Sequence, residues 1–375
     1  MDNDTLRLLR DSIRRFVENE VVPRAAAWEE QGFVPREVLR EMGKLGFLGL
    51  RYGEEFGGGG LDARATALLA EELGRSSFGG FAITVLVHTD MASPHLVNAG
   101  SAAQIKAYLP RIVSSELITA VGITEPDAGS DVKAIRTRAR REGGDWVLTG
   151  SKMFITNGAL ADLVFVAAKT EPAAGSKGIS MFIVEKGMKG YSVGRKLDKM
   201  GWRSSDTAEL VFDECRVPAA NLLGEEGKGF YAVMKNFQNE RIAIAAMAMG
   251  EAARAIELTL EYVRGRKAFG APLWDKQAIR QRLALQAAKV EAGRQLVLHA
   301  AALDAQGRDC VKEVSMAKAY CAELLNEVVY DCLQFHGGFG YLKESAIERM
   351  YRDARVQSIG GGATEVMLEE VAKRL

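Results

Sequence analysis

The sequence predicts an α+β multidomain chain. A helical N-terminal domain covers residues 1–117, a central β-sandwich or barrel 118–225, and a C-terminal four-helix-type bundle 226–375. Three observations carry this expectation. Apolar residues recur at helical spacing in the first third, as at Leu6, Leu9, Ile13, Phe16 and Val17. The middle holds short β-rich runs cut by turn residues. From Gly229 onward helical patterns return, long and with short connections, which favours an up-and-down bundle.

Taken in order, the first helix follows the candidate caps Asn3 and Asp4. Pro35 is expected at the first helical position before Val38, Leu39, Met42 and Leu45. Asp62 is placed to cap a helix carrying Leu68, Leu69 and Leu73. The glycine run 57–60 reads as a flexible loop, because it lacks the strand-loop-helix setting and the lysine of a phosphate loop. Strands are expected at 146–148, 163–166, 181–184 and 210–212, with breaks at 143–144, 157–158 and 185–187. Arg136, Arg138 and Arg140 alternate as a solvated strand face. Long helices are expected near 229–264, 276–305 and 310–335, with a loop at 265–275 and a glycine-rich corner at 334–341. No strand-helix alternation reaches nucleotide-binding length, which argues against a doubly wound NAD domain.

Composition narrows the class. A chain of 375 residues exceeds one simple core. With 47% hydrophobic and 26% charged residues it has the make-up of a soluble globular protein. Lys plus Arg balance Asp plus Glu, 49 against 49, so there is no whole-molecule attraction to nucleic acid or to a membrane surface. No uncharged apolar run reaches 18 residues, so no membrane span is expected, and the charged amphipathic start carries no secretory signal. The expected location is the cytoplasm of a bacterium, or the mitochondrial matrix if the source is a eukaryote. Cys310, Cys321 and Cys332 would share a helix face about 16 Å apart at ~1.5 Å per residue, too far for one metal or a disulfide, and with Cys215 they read as small core residues. His88, His95, His299 and His336 show no ligand spacing and no nucleophile elbow is present, so neither a metal site nor a hydrolase is expected.

Two segments carry chemistry. The first, at 122–131, is Gly-Ile-Thr-Glu-Pro-Asp-Ala-Gly-Ser-Asp. Backbone N–H groups and hydroxyls in such a turn can hold the polar edge of a planar cofactor, although an ordinary hairpin connection would read the same way. The second, at 334–341, is Gln-Phe-His-Gly-Gly-Phe-Gly-Tyr, followed by Glu344, Arg349 and Asp353. Its glycines let a backbone approach a ligand closely, or simply cap a helix.

Together these segments, at this separation and across this domain order, resemble the acyl-CoA dehydrogenase family over nearly the whole chain. The stretches 181–184, 190–207 and 224–230 are most similar to its long-chain branch. The resemblance implies FAD as cofactor and α,β-dehydrogenation of a fatty acyl-CoA, medium to long and straight or branched, to the trans-2-enoyl-CoA. It also implies electron-transferring flavoprotein as acceptor and a homo-oligomer, usually a tetramer. Ile123, Thr124 and Ser130 would lie beside the flavin, with Ser130 also near the acyl-CoA. The segment 152–157 resembles the family's Trp-Ile-Thr-Asn stretch, with Phe154 in place of the Trp and Thr156 retained near the hydride-accepting nitrogen. Arg266, Phe269 and Gln277 resemble the segment that reaches a neighbouring subunit's FAD. A guanidinium suits a pyrophosphate, and it also suits an exposed helix end. Gln334, Gly337, Gly338 and Glu365 match further FAD contacts, while Gln238, Arg241 and Gly361 match substrate positions.

One departure bears on catalysis. Most relatives carry a catalytic glutamate in a Tyr-Glu-Gly-Thr segment; here the segment is Gly360-Gly361-Gly362-Ala363, and Gly361 stands in the glutamate's place. A second carboxylate offers itself. Val233, Phe237, Glu240, Ile244 and Met247 fall on one stripe of a helix, four apolar residues and one carboxylate. Such a glutamate needs a partner or a purpose, and a rim carboxylate paired with an arginine would satisfy the pattern equally. The resemblance decides: the long-chain and isovaleryl branches place their base at this Glu-Arg dipeptide and carry a small residue at the other site. Glu240 is therefore expected to be the base, with the Gly361 N–H polarising the thioester oxygen. Two other readings stay open at this stage, a flavin acyl-CoA or nitroalkane oxidase of the same superfamily and a non-catalytic acyl-CoA-binding protein.

Overall fold

A computed structural model describes residues 3–375. The N-terminal part is helical: α1 Asn3–Phe16, a π-helical turn Val17–Val21, α2 Val22–Gln31, α3 Arg36–Lys44, α4 Ala63–Gly74, α5 Gly79–Leu86, a second π-helical turn Val87–Ala92, α6 Pro94–Ala99 and α7 Ala102–Val113. The expected face of α1 is inward, with Ile13, Phe16 and Val17 buried. Asp4 lies within the first turn of α1 rather than before it, and the side chain of Asn3 lies outside the described set. Asp62 caps α4 as expected, accepting from the Arg64 N–H at 2.9 Å. Pro35 is the cap of α3 rather than its first helical residue.

Two differences from expectation have clear causes. The glycine run is tied down: the N–H groups of Gly58, Gly59 and Gly60 donate to the carbonyls of Gly53, Gly49 and Tyr52 at 3.2, 3.2 and 2.8 Å. The helices at 79–99 give no amphipathic signal, because α5 and the turn after it are buried on every side.

The central part is one eight-stranded mixed sheet: β1 Thr119–Gly122, β2 Arg138–Glu142, β3 Asp145–Thr156, β4 Leu163–Lys169, β5 Ile179–Glu185, β6 Tyr191–Lys196, β7 Thr207–Pro218 and β8 Leu222–Leu223. The order is β6-β7-β3-β2-β4-β5-β8, with β1 parallel to β4. β2 meets β4 through one residue pair, Arg138 with Lys169. About that junction the two arms face each other, and Trp146 of β3 packs edge-on against Phe182 of β5 with ring centres 5.3 Å apart. The result is a sandwich-like core. On the exposed side Arg140 pairs with Glu142 and Glu214, while Arg136, before the strand, pairs with Asp127.

The C-terminal part begins with the 37-residue α8 Gly229–Gly265. A small hairpin follows, β9 Lys267–Ala268 with β10 Ala271–Pro272, then α9 Gln277–Ala305, α10 Val311–His336, α11 Ala346–Ala354 and α12 Thr364–Ala372. All four cysteines are buried and free. The helical parts share one apolar core that joins α4 to α8, α9 and α10. α4 and α8 cross where Gly74 meets the Met247 carbonyl and Gly250 meets the Glu71 carbonyl; a Cβ on either glycine would overlap that backbone. This close crossing presses the middle of α8 against the N-terminal helices.

Candidate active site

The stripe Val233, Phe237, Glu240, Ile244, Met247 lies along α8 where that helix meets the N-terminal layer. Glu240 is 7% exposed, and burial pushes its carboxyl up to about 7 against the help of Asn236 and Arg241. Its partner is an amide rather than an arginine: Asn236 Nδ2 donates to Glu240 Oε1 at 2.9 Å. Oε2 has no hydrogen-bond partner among the described residues. A carboxyl with this environment is poised to exchange a proton near neutral pH.

Gly361 comes to the same place from the C-terminal side. It sits at φ +64, and a Cβ there would overlap Cδ1 of Ile244, one helical turn beyond Glu240. The space beside this small residue is not open, because Ile244 fills it. Among the described residues no carbonyl accepts from the Gly361 N–H, which lies in an exposed turn. Lys318 of α10, its side chain buried, donates to the next carbonyl, that of Gly362. The guanidinium of Arg241 lies 5.4 Å from the Phe237 ring centre, and its buried Nε has no hydrogen-bond partner among the described residues. Gln238 turns to another side of α8, where its Oε1 accepts from Cys310 Sγ at 3.4 Å.

A second cluster lies where β1 runs into the 122–131 turn and meets β3. The Met153 N–H donates to the Thr124 carbonyl at 2.9 Å, which sets Ile123 and Thr124 beside Phe154 and Thr156. Beneath them Lys152 is 0% exposed; its Nζ donates to the Ile123 carbonyl at 3.0 Å and to Glu125 Oε1 at 2.7 Å. Glu125 also accepts from the backbone N–H of Arg136 and Thr137. Burial lowers Lys152 to about 8. Burial alone would raise Glu125, but Lys152 and the three hydrogen bonds outweigh it and hold that carboxyl low, so the pair stays ionised at neutral pH.

Phe154 stands out. It is 64% exposed at φ +63, at the bulge where β3 slips register against β7. A non-glycine residue in that conformation is strained, and the bulge re-aims its ring outward. Ser130 lies exposed at the far end of the turn.

The remaining predicted residues except Glu365 gather at the far end of α8, whereas Glu365 lies four residues after Gly361, in the first turn of α12. Arg266 caps α8, and its N–H donates to the Tyr262 carbonyl at 2.8 Å. The Tyr262 hydroxyl donates to the His336 carbonyl at 3.1 Å and its ring stacks on Phe339, which brings the α8 end beside Gln334, Gly337 and Gly338. Phe269, at the hairpin tip, is 96% exposed. Gln277 and Glu365 are exposed on α9 and α12. Along α8, 26 residues separate Glu240 from Arg266, about 39 Å at ~1.5 Å per residue, so the two groups of residues do not meet within one chain.

Sequence reasoning missed Asn236, the Lys152–Glu125 pair and the role of Asp353. Asn236 lies one turn before Glu240 on the same stripe, and the requirement that a buried carboxylate have a partner pointed to it. Asp353 accepts from the Trp202 N–H at 2.6 Å and the Gly79 N–H at 3.1 Å, so the last residue of the second segment ties all three parts together. Among the described residues, no group of three or more His, Cys, Asp or Glu is placed to hold a metal ion, and no helix is long and apolar enough to cross a membrane.

Comparison with known proteins gives concordant results. Three family models match: the N-terminal domain of acyl-CoA dehydrogenase over residues 3–116, the middle domain over 120–215 and the C-terminal domain over 227–375. The mitochondrial long-chain specific acyl-CoA dehydrogenase of Sus scrofa is 43% identical over 98% of this chain and 86% of its own. A glutaryl-CoA dehydrogenase of Mycobacterium smegmatis, solved in complex with FADH2, is 30% identical with a TM-score of 0.94, covering 100% of this chain and 95% of that one. A chain in the solved structure of the electron transferring flavoprotein of Acidaminococcus fermentans is 36% identical with a TM-score of 0.97, covering 100% of this chain and 98% of that one.

Proposed function

The chain belongs to the acyl-CoA dehydrogenase family, and from that premise we propose that it oxidises medium to long acyl-CoA thioesters to trans-2-enoyl-CoA with Glu240 as the base. The observation that carries the reading is the approach of Gly361 to Ile244, one helical turn beyond Glu240 on α8. Where Gly361 offers no carboxylate, α8 presents one on the same stripe as Ile244, which touches that glycine. The similarity to the long-chain enzyme supports the substrate class.

The residues present fit FAD. Phe154 offers an aromatic face held outward at a strained bulge, and Ile123, Thr124 and Thr156 line the strand and turn beside it. Bound FAD supplies the acceptor for the hydride that leaves the β-carbon. The protein's own residues do the rest. Glu240, desolvated and poised near neutrality, takes the α-proton on its free Oε2. The Gly361 N–H, which has no acceptor among the described residues, donates to the thioester oxygen as charge develops there. The Lys152–Glu125 pair fixes the turn at 122–131 against β3, so the cofactor-facing side chains are preorganised.

Arg266, Phe269, Gln277, Gln334, Gly337 and Gly338 are assigned to the FAD of a neighbouring copy. They cluster about the end of α8 far from Glu240, and an almost fully exposed Phe269 asks for a partner. A homo-oligomer, a tetramer by family resemblance, follows. Electrons pass on to an electron-transferring flavoprotein, a reading supported by the Acidaminococcus similarity.

The test is anaerobic bleaching of the flavin band against acyl-CoAs graded in length and branching. Medium to long chains should bleach it fastest. Absence of bleaching by every thioester would reject the activity.

A further inference from the structure

We propose that Asn236 is a positioning residue for proton abstraction: its amide holds one oxygen of the Glu240 carboxylate and leaves the other to face the substrate. This rests on the reading of Glu240 as base. Asn236 lies four residues before Glu240 on α8, so its side chain covers the same helix face. It is 2% exposed. A primary amide has two donor hydrogens. Here Nδ2 reaches Glu240 Oε1 at 2.9 Å and the Met91 carbonyl at 2.7 Å, so both are engaged. His95 Nε2, at 3.4 Å from the same nitrogen, is a longer and weaker neighbour.

Met91 belongs to the π-helical turn Val87–Ala92 of the N-terminal layer. The amide therefore ties the carboxylate to a fixed point outside its own helix. A glutamate on a helix has several rotamers; this tether selects one and leaves Oε2 without a hydrogen-bond partner among the described residues. Among the described residues no ion pair competes for Oε1. The charged and titratable groups around the carboxyl are Arg241 on α8, Lys318 on α10 beside Arg241, and His95 and Asp90 from the N-terminal layer, with His95 kept neutral by burial. A hydrogen bond to the charged form favours that form. Loss of the amide should therefore make the carboxyl hold its proton to higher pH as well as wander.

The experiment uses the FAD-loaded protein and its Asn236→Leu, Asn236→Ala and Glu240→Gln variants. Two quantities are followed against pH: the rate of anaerobic flavin bleaching by an acyl-CoA that the parent oxidises, and the infrared band of the protonated carboxyl that Glu240→Gln abolishes. In Asn236→Leu the rising limb of the rate profile and the band midpoint should both move up by about one to two pH units. Asn236→Ala removes the same donor without crowding and should do likewise, which keeps the test intact if the leucine variant fails to fold. A purely structural staple would lower the melting temperature and leave both midpoints in place; that result overturns the proposal. If Glu240→Gln bleaches at the parent rate, the base assignment itself fails and this inference with it. If Glu240→Gln is inert and the midpoints stay put, only the role of Asn236 is lost.

Discussion

Gly361→Ala is expected to destabilise the protein by about 2–5 kcal/mol, and trimming Ile244 should remove much of that cost. Gly361 sits at φ +64, where a side chain costs about 1–2 kcal/mol. Its Cβ would overlap Cδ1 of Ile244, a side chain 5% exposed, and such crowding costs typically about 1–3 kcal/mol. Ile244→Val removes that methyl at about 0.5–1.5 kcal/mol. In the double variant the overlap vanishes, so its loss should fall short of the summed single losses by about 1–3 kcal/mol. The assay is urea unfolding of the four proteins at one protein and FAD concentration, followed by tryptophan fluorescence. Strict additivity, or a Gly361→Ala cost below about 0.5 kcal/mol, would refute the contact between the glycine and the α8 stripe. The same geometry limits a graft. In a Glu240→Gln background, Gly361→Glu should restore turnover only when Ile244 is also shortened, measured by flavin bleaching with a straight-chain acyl-CoA.

Three further outcomes are expected. Lys152→Met leaves Glu125 buried without its cation and should cost about 3–5 kcal/mol by urea unfolding, with lower FAD retention on gel filtration; a stable, fully yellow variant would show that the pair does not hold the turn. Arg266→Ala should lose flavin and oligomer together on gel filtration with absorbance detection, whereas retention of both would leave Arg266 a surface residue. Glu240 binds its proton more tightly folded, at about 7, than unfolded, at 4.5, so it lowers stability as pH rises between those values. Glu240→Gln should therefore gain about 2.5 kcal/mol on the parent between pH 5 and pH 8, and an unchanged difference across that range would place the carboxyl in water.

Periodicity made the elements that face both core and solvent legible. α1, α4 and the three long C-terminal helices lie within a few residues of where their apolar spacing and caps put them, although α4 and the middle of α8 are buried on nearly every side. α5 and the π-helical turn after it escaped notice because both are buried all round, α5 apolar or small throughout and the turn carrying the buried His88, Thr89 and Asp90, so neither shows a polar face. The glycine run at 57–60 looked loose because sequence does not show that its amides bond to carbonyls at 49–53. At the site, Glu240 was visible as a charge in an apolar stripe. Its amide partner was visible only as one more polar residue. The contact between Gly361 and Ile244 joins residues 117 positions apart, and no local pattern reports it. Phe154 was placed by motif, but its positive φ and outward aim come from a register slip between β3 and β7 that only the pairing shows.

The central claim is that Glu240 takes the α-proton, and single-turnover reduction of Glu240→Gln tests it most directly. The substitution keeps the Oε1 that Asn236 holds and removes the carboxylate that accepts the proton. Mixed anaerobically with an acyl-CoA that the parent oxidises, the variant should still bind the thioester, seen by calorimetry. Its flavin should bleach at least ~10²-fold more slowly, the lower end for loss of a general base. Bleaching at the parent rate would contradict the account and send the search for the base elsewhere.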